Sequence, residues 1–419
     1  MELDDQLFRR DSGRIVTVLT RIFGFENLAL AEDVAQDVFC RALEVWKLRG
    51  VPDNPSAWLM KAAKNRAIDL LRRERTGRGA EERLSRLLQS EWTMTATVDE
   101  LFTTSSINDD QLRMMFSCCD PALAEETQVP LILQLLCGFT ADEIAAAFLI
   151  RRDAVAKRIE RGKKILAASK HLFDMTDADL PERLSAVHRA LYLLFNEGYH
   201  GASKETPVRA ELCREAMRLA ALLLDNPRVS TSASHALCAM MWLHAARLPA
   251  RVGAGELVSL YDQDRTLWDA VLVEKGISFL EQAAQGEHVS EYHLQAAIAA
   301  VHARAEKAEE TDWAQIVWLY DTLMEITPSP IVALNRAIAV AQRDGPEAGI
   351  TAINAITQND RLASYPFFPA AMGELELRAG RAQAARGHFE EAVSLARSAS
   401  ERRFLQRRAA AAVPDASRR

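Results

Sequence analysis

Hydrophobic positions recur along most of this chain at a spacing near 3.6 residues, which predicts one helix after another and few strands. In PSAWLMKAAKNRAIDLLRRERT, residues 55–76, Leu59, Ala63, Ala67, Leu70 and Leu71 fall on one side of a helical projection. Lys61, Lys64, Asn65 and Arg72 fall on the other, so one face can pack while the other meets phosphate. Taken alone, the same stretch reads equally well as a solvated basic surface helix.

A second basic element lies downstream in TADEIAAAFLIRRDAVAKRIERGKKIL, residues 140–166, where the pattern predicts a short helix, a turn and a longer helix. Thr140 is placed to cap the first helix with Glu143 as its capping-box partner, and Ile144, Ala145 and Phe148 form its apolar stripe. In the second helix Val155, Ile159, Gly162 and Leu166 keep the helical period, leaving Lys157, Arg158, Arg161 and Lys164 outward. This is a helix-turn-helix pattern. Residues 151–170 hold eight Lys or Arg against Asp153 and Glu160, in a chain whose formal net charge is −7. Positive charge gathered on two helices of an acidic chain suits site-directed DNA binding, and a plain surface or partner-binding helix is the competing reading.

Composition widens the picture. A chain of 419 residues, 7% aromatic and poor in β-branched runs, points to an all-α protein of two or three domains. Divided at residue 175, the first part carries 25 basic and 27 acidic residues and the remainder 26 and 31, so neither part is basic as a whole. No apolar run approaches the roughly 20 residues of a membrane span, and MELDDQ lacks a signal-peptide pattern, which predicts a cytoplasmic protein with no membrane partner. Cys40, Cys118, Cys119, Cys137, Cys213 and Cys238 have no CxxC spacing and read as packed free thiols. The pair Cys118 and Cys119, and the loose set His235, Cys238 and His244, are weak metal or redox candidates, so neither a metal nor a cofactor is expected.

Residues 76–108 run through TGRGA and a Thr/Ser-rich segment and are expected to form a linker. About 33 residues reach about 100 Å when extended, and DNA boxes about 20 base pairs apart are separated by roughly 70 Å. After the helix-turn-helix some 240 residues remain, broken near Asn226 to Pro227, Pro249 to Gly255, Gly286, Pro328 to Pro330, Gly345 to Pro346 and Pro366. Gly373, Ala385, Phe389 and Ala392 stand at offsets 8, 20, 24 and 27 of a tetratricopeptide repeat, and residues 331–353 form a looser copy. An α-solenoid is expected over residues 180–410, with a short tail at 411–419.

Residues 1 to about 170 resemble a sigma-70-type RNA polymerase sigma factor of the extracytoplasmic-function kind, which keeps only regions two and four. AEDVAQDVFCRALEVW, residues 31–46, resembles the segment that docks on core polymerase, residues 55–76 the part that melts and reads the −10 element, and the helix-turn-helix the −35 reader. The resemblance implies two small helical sigma domains, region two at 1–75 and region four at 109–172. It implies polymerase docking by Asp33, Gln36, Asp37, Phe39 and Arg41, and approach to the −10 region by Trp58, Lys61, Lys64, Asn65, Arg66 and Arg72. Trp58 has a core anchor as its competing role, and Asp69 reads as an ion-pair partner of Arg66 or Arg73. Arg151, Arg152, Asp153 and Lys157 are placed for −35 base edges, with Arg158, Arg161 and Lys163 nearer phosphates. Leu149 and Ile150 in the turn depart from the usual Gly or Pro, so the −35 sequence does not carry over. The long extension resembles the subgroup with a C-terminal tetratricopeptide-like domain, which implies a regulatory surface for a peptide, a regulatory protein or the sigma domains themselves. Nothing places a nucleophile, a metal or a phosphate loop, so no enzyme is expected. The partners implied are core RNA polymerase and promoter DNA. A tetratricopeptide adaptor that has lost promoter function is the alternative.

Overall fold

The computed structural model describes residues 5–76, 100–148, 150–168, 180–200, 208–253, 256–357, 362–363, 365–396 and 399–412. The fold is all-α. The chain divides into two compact units, Met1–Leu193 and Leu194–Arg419.

In the first unit α1 (Asp5–Phe23), α2 (Leu28–Arg49) and α3 (Pro55–Thr76) pack together, followed by α4 (Thr104–Cys118), α5 (Glu125–Cys137), α6 (Ala141–Phe148) and α7 (Arg152–Ala168). Most of the expected linker, residues 77–99, lies outside the described residues. α1 is the hub, since α2, α3, α4 and α5 all pack on it. Its buried stripe of Ile15, Val18, Leu19 and Ile22 needs partners on more than one side, and α5, with Leu131, Leu133, Leu135 and Leu136 buried, supplies one. The approach is closest at Gly13, where an added Cβ would stand 2.0 Å from the Leu136 carbonyl oxygen. Only the missing side chain lets the two backbones meet there.

Several polar groups inside this unit are bonded locally or across helices. Thr17 Oγ1 donates to the Gly13 carbonyl at 2.7 Å and touches Met114 Sδ at 3.5 Å. Buried Asp11 accepts from Ser56 Oγ at 2.5 Å, fixing the start of α3 against α1. Gly138 closes α5 in the left-handed region (φ 67°), and the Phe139 N–H donates back to the Leu133 carbonyl at 3.0 Å, a Schellman-type stop. The early part of α8 (Leu180–His200) is tied to this unit by Arg183–Asp120 and Arg189–Glu125, both at 2.9 Å.

The second unit holds α9 (Ala210–Asp225), α10 (Ser232–Ala245), the short α11 (Leu248–Arg251) and a two-stranded antiparallel ladder, β1 (Val252–Gly253) with β2 (Glu256–Leu257), in which Val252 faces Leu257. It continues through α12 (Ala270–Ala283), α13 (Glu291–Arg304), α14 (Trp313–Ile326), α15 (Pro330–Asp344), α16 (Pro346–Asn354), α17 (Phe367–Arg378), α18 (Ala382–Leu395) and α19 (Ala399–Ala411). Thr231 caps α10 by accepting from the Ser234 N–H at 3.2 Å, and the helix then buries residues on every side, from Ala236 to Leu243, as a central helix must. Consecutive helices pair along the chain, α14 with α15, α15 with α16 and α17 with α18. At the α17–α18 crossing an added Cβ on Gly373 would lie 3.1 Å from the Ala385 carbonyl and from the Phe389 ring, and Ala385, Phe389 and Ala392 are all buried. Residues 413–419 of the expected tail lie outside the described residues.

Two predictions come from this packing. Gly13→Ala forces a backbone shift at the α1–α5 contact and should destabilise it by about 2 kcal/mol, seen as amide exchange in α1 and α5 accelerating roughly 30-fold while α14 to α18 keep their protection. Burial pushes the His188 imidazole down to about 4 from 6.5, so the folded state holds it neutral. The unfolded chain takes up a proton below pH 6.5 that the native state refuses until about pH 4, so stability falls as pH drops through that window, by about 3 kcal/mol. His188→Gln should remove most of that loss between pH 7 and pH 4 in denaturant titrations.

Candidate functional site

The first unit presents three helix faces that the packing does not use. On α2, Val34, Ala35, Val38, Ala42 and Trp46 are buried. The opposite face carries Asp33, Gln36, Asp37, Cys40, Arg41 and Glu44, all exposed, with Phe39 half-buried beside them. Spacings of three, four, seven and eight residues from Asp33 put these side chains on one stripe. Leu43 and Leu48, 47% and 86% exposed, add apolar area that the residue pattern did not single out. Exposed leucines of that size on a charged stripe suit a protein partner better than DNA.

On α3, Leu59, Ala63, Ala67, Ile68 and Leu71 are buried, while Lys61 and Asn65 are exposed and Lys64 and Arg66 half-buried. Arg72 lies on the same helix, its side chain outside the described residues. Trp58 is half-buried and meets the buried Trp46 edge to face, with ring centroids 5.5 Å apart. Its core role is therefore physical and visible. Arg66 pairs with Asp37 of α2 at 3.5 Å rather than with Asp69, so one contact joins the two faces. Both partners are well exposed, and the pair contributes at most a few tenths of a kcal/mol.

Region 140–166 folds locally as its pattern dictates. The Thr140 N–H donates to Glu143 Oε2 at 2.8 Å and the Glu143 N–H to Thr140 Oγ1 at 3.3 Å, a reciprocal capping box opening α6. Leu149, in the turn, lies outside the described residues. α7 buries Val155, Ile159, Gly162 and Leu166, with Gly162 against the Leu131 and Thr127 side chains of α5. Arg151, Arg152, Asp153, Lys157 and Arg161 are exposed.

Several of these cations already have carboxylate partners. Arg152 meets Asp142 at 2.8 Å, Arg151 meets Asp153 at 3.8 Å, and Arg158 donates to Glu126 at 2.9 Å. The Lys164 ammonium holds the exposed Glu160 carboxyl below its ordinary range through a hydrogen bond. Lys163 behaves differently from its neighbours. Its ammonium donates to both oxygens of Glu32 on α2, at 2.6 and 2.8 Å, with only 24% of the lysine side chain exposed. Glu32 and Glu126 were not singled out in the sequence, because a partner 131 or 32 residues away leaves no local signal.

The cysteine and histidine candidates resolve into packing. Five cysteines are buried and Cys40 is exposed. Burial pushes the Cys119, Cys213 and Cys238 thiols up to about 12, which keeps them un-ionised and poor as ligands. No cluster with metal-ligand geometry occurs among the described residues. No described helix is long and apolar enough to cross a membrane.

Residues 7–76, which comprise nearly all of α1 with α2 and α3, match sigma-70 region 2. The chain therefore carries a sigma-70 region 2 domain. Residues 183–284 match a family of unknown function, DUF6596, which covers much of α8 through α12. Along its length the chain is 39% identical to an uncharacterized protein of Rhizobium meliloti (strain 1021), over 390 residues that make up 91% of this chain and 90% of the other, and it belongs to the same family as that protein. The region 2 domain supports a role in transcription initiation and implies interaction with core RNA polymerase and promoter DNA.

Proposed function

We propose that this protein is a sigma factor of the extracytoplasmic-function kind, docking on core polymerase through the exposed stripe of α2. On this reading it approaches the −10 element with α3 and the −35 element with α7, and its helical extension, tetratricopeptide-like at α17 and α18, modulates that activity. The observation that carries the reading is one compact unit in which a charged stripe with exposed leucines and a separate basic helix face are both left uncovered. Asp33, Gln36, Asp37, Phe39 and Arg41 would meet the polymerase. Lys61, Lys64, Asn65, Arg66 and Arg72 would approach the −10 strand. Arg151, Arg152, Asp153, Lys157, Arg158 and Arg161 would face the −35 box.

The reading carries a physical requirement. Two boxes about 20 base pairs apart lie roughly 70 Å from one another, whereas α1 packs directly on α4 and α5, and α7 meets the turn Phe25–Asn27 that precedes α2. Engaging both boxes at once means opening the α1–α5 contact and the Lys163–Glu32 pair. In the closed unit Lys163 serves as a strut to α2, and on promoter DNA it is released to phosphate.

Run-off transcription with purified core polymerase and the full chain, on the promoter of its own gene, tests the reading. Transcripts from a single start site that need the protein are expected, and Asp37→Arg should cut polymerase capture about tenfold with the helical signal intact. Capture at the wild-type level by that variant would remove α2 from the interface. Absence of both transcripts and polymerase binding by the unaltered chain would favour the adaptor. On promoter DNA, Arg158→Ala with Arg161→Ala should weaken binding at least tenfold and lower the slope of log affinity against log salt by about 2. An unchanged slope would exclude α7 as the phosphate-facing helix.

A further inference from the structure

The second unit encloses a cavity of about 1060 Å³, large enough for a drug-sized organic molecule. Trp313, Ile316, Tyr320, Ile338, Phe389 and Phe404 give it flat aromatic and aliphatic walls. Its charged lining is mostly cationic. Arg265, Arg378, Arg407 and Arg408 line it with Asp262 and Glu374, and those two acids are engaged, Glu374 with Arg408 and Asp262 by the Ser259 hydroxyl.

Behind the Arg265 end stands a group with no ordinary explanation. Arg247 is 6% exposed, and among the described residues no carboxylate pairs with it and its Nε has no hydrogen-bond partner. Its guanidinium rests over the rings of Trp268, at 5.4 Å, and Tyr199, at 6.0 Å. Arg265 lies over the same Trp268 ring at 5.1 Å and donates to the His302 and Ala305 carbonyls, each at 2.7 Å, with its Nε also unpartnered. His302 lines the cavity, is 6% exposed and has no hydrogen-bond partner on Nδ1. Burial first, and then the charges of Arg247 and Arg265, push its imidazole down to about 3, so it is held neutral. Aromatic faces offset part of the cost of burying a guanidinium, but an uncompensated buried cation remains expensive.

We infer that this cavity is a binding site for a small amphipathic organic anion, whose carboxylate or phosphate head meets Arg265 and His302, with the Arg247 charge behind them, while its apolar body lies along Trp313, Tyr320 and Phe389. An anion there supplies a countercharge for Arg247, which has no carboxylate partner among the described residues, and a partner for His302 Nδ1. The α19 helix packs against β2 and contributes Phe404, Arg407 and Arg408 to the wall. Enclosure by that helix favours a compact ligand over an extended peptide. The inference concerns binding in the extension alone and stands apart from the promoter reading.

The test is calorimetric titration of the full chain with 1-naphthyl phosphate, 1-naphthoate and 1-naphthol, three probes with one ring and different heads. One saturable site is expected, with an anionic probe bound at least tenfold more tightly than the neutral naphthol. The better of the two anions distinguishes a phosphate head from a carboxylate head. Arg247→Met should weaken the anion at least tenfold while leaving the melting temperature of the ligand-free protein equal or higher, because it removes an uncompensated charge. A purely structural Arg247 would lower it. If that variant does not fold, Gln342→Glu, a near-isosteric change in the cavity lining, should weaken the anion by a similar factor. Equal binding of all three probes, no binding of either anion, or anion binding unaffected by Gln342→Glu would overturn the inference, as would saturation by a hexaglutamate peptide alone.

Discussion

The contact between α1 and α5 at Gly13 is the constraint on which the first unit depends. A glycine at that point lets the α1 backbone come within reach of the Leu136 carbonyl, and the buried stripes of both helices close around it. Every other helix face in the unit takes its orientation from that choice. With Ile15, Val18 and Leu19 committed inward, α2 can turn Asp33, Gln36, Asp37 and Arg41 only outward. With Leu131 and Thr127 seated against Gly162, α7 likewise turns Lys157 and Arg161 to solvent. One contact between backbones therefore decides what the surface can recognise.

Charge on this surface is balanced in part within the unit itself. Arg66, Arg152, Arg158 and Lys163 each rest on a carboxylate of the same unit. Pairs exposed to this degree are individually worth little, and a phosphate displaces such a partner at small cost. Lys163 with Glu32 is the more consequential pair, because it is bidentate, partly shielded and spans α7 and α2. The second unit treats charge in the opposite way. It buries Arg247 beside aromatic rings and leaves it without a carboxylate among the described residues. The first arrangement is adapted to exchanging partners, and the second to receiving one.

The sequence by itself determined the helices and their inward faces. Periodicity set the buried stripes of α3 and α7, the Thr140 and Glu143 side chains wrote the capping box in four residues, and Gly373 with Ala385 and Phe389 marked a close helix crossing by size alone. These are local effects, or effects of one residue's volume, and they survive without knowledge of the rest of the chain. The tertiary structure alone decided which charges meet. Asp69 stood near Arg66 in sequence, yet Asp37 on another helix reached it, and Glu32 found Lys163 from 131 residues away. It also brought Arg265 and His302 to one cavity wall and set Arg247 behind them over the Trp268 ring that Arg265 shares, from three separate segments, none of which carries a motif. Long-range pairings of this kind follow from how the cores close, and the energies that close a core are spread over many apolar side chains rather than written at the polar residues they bring together.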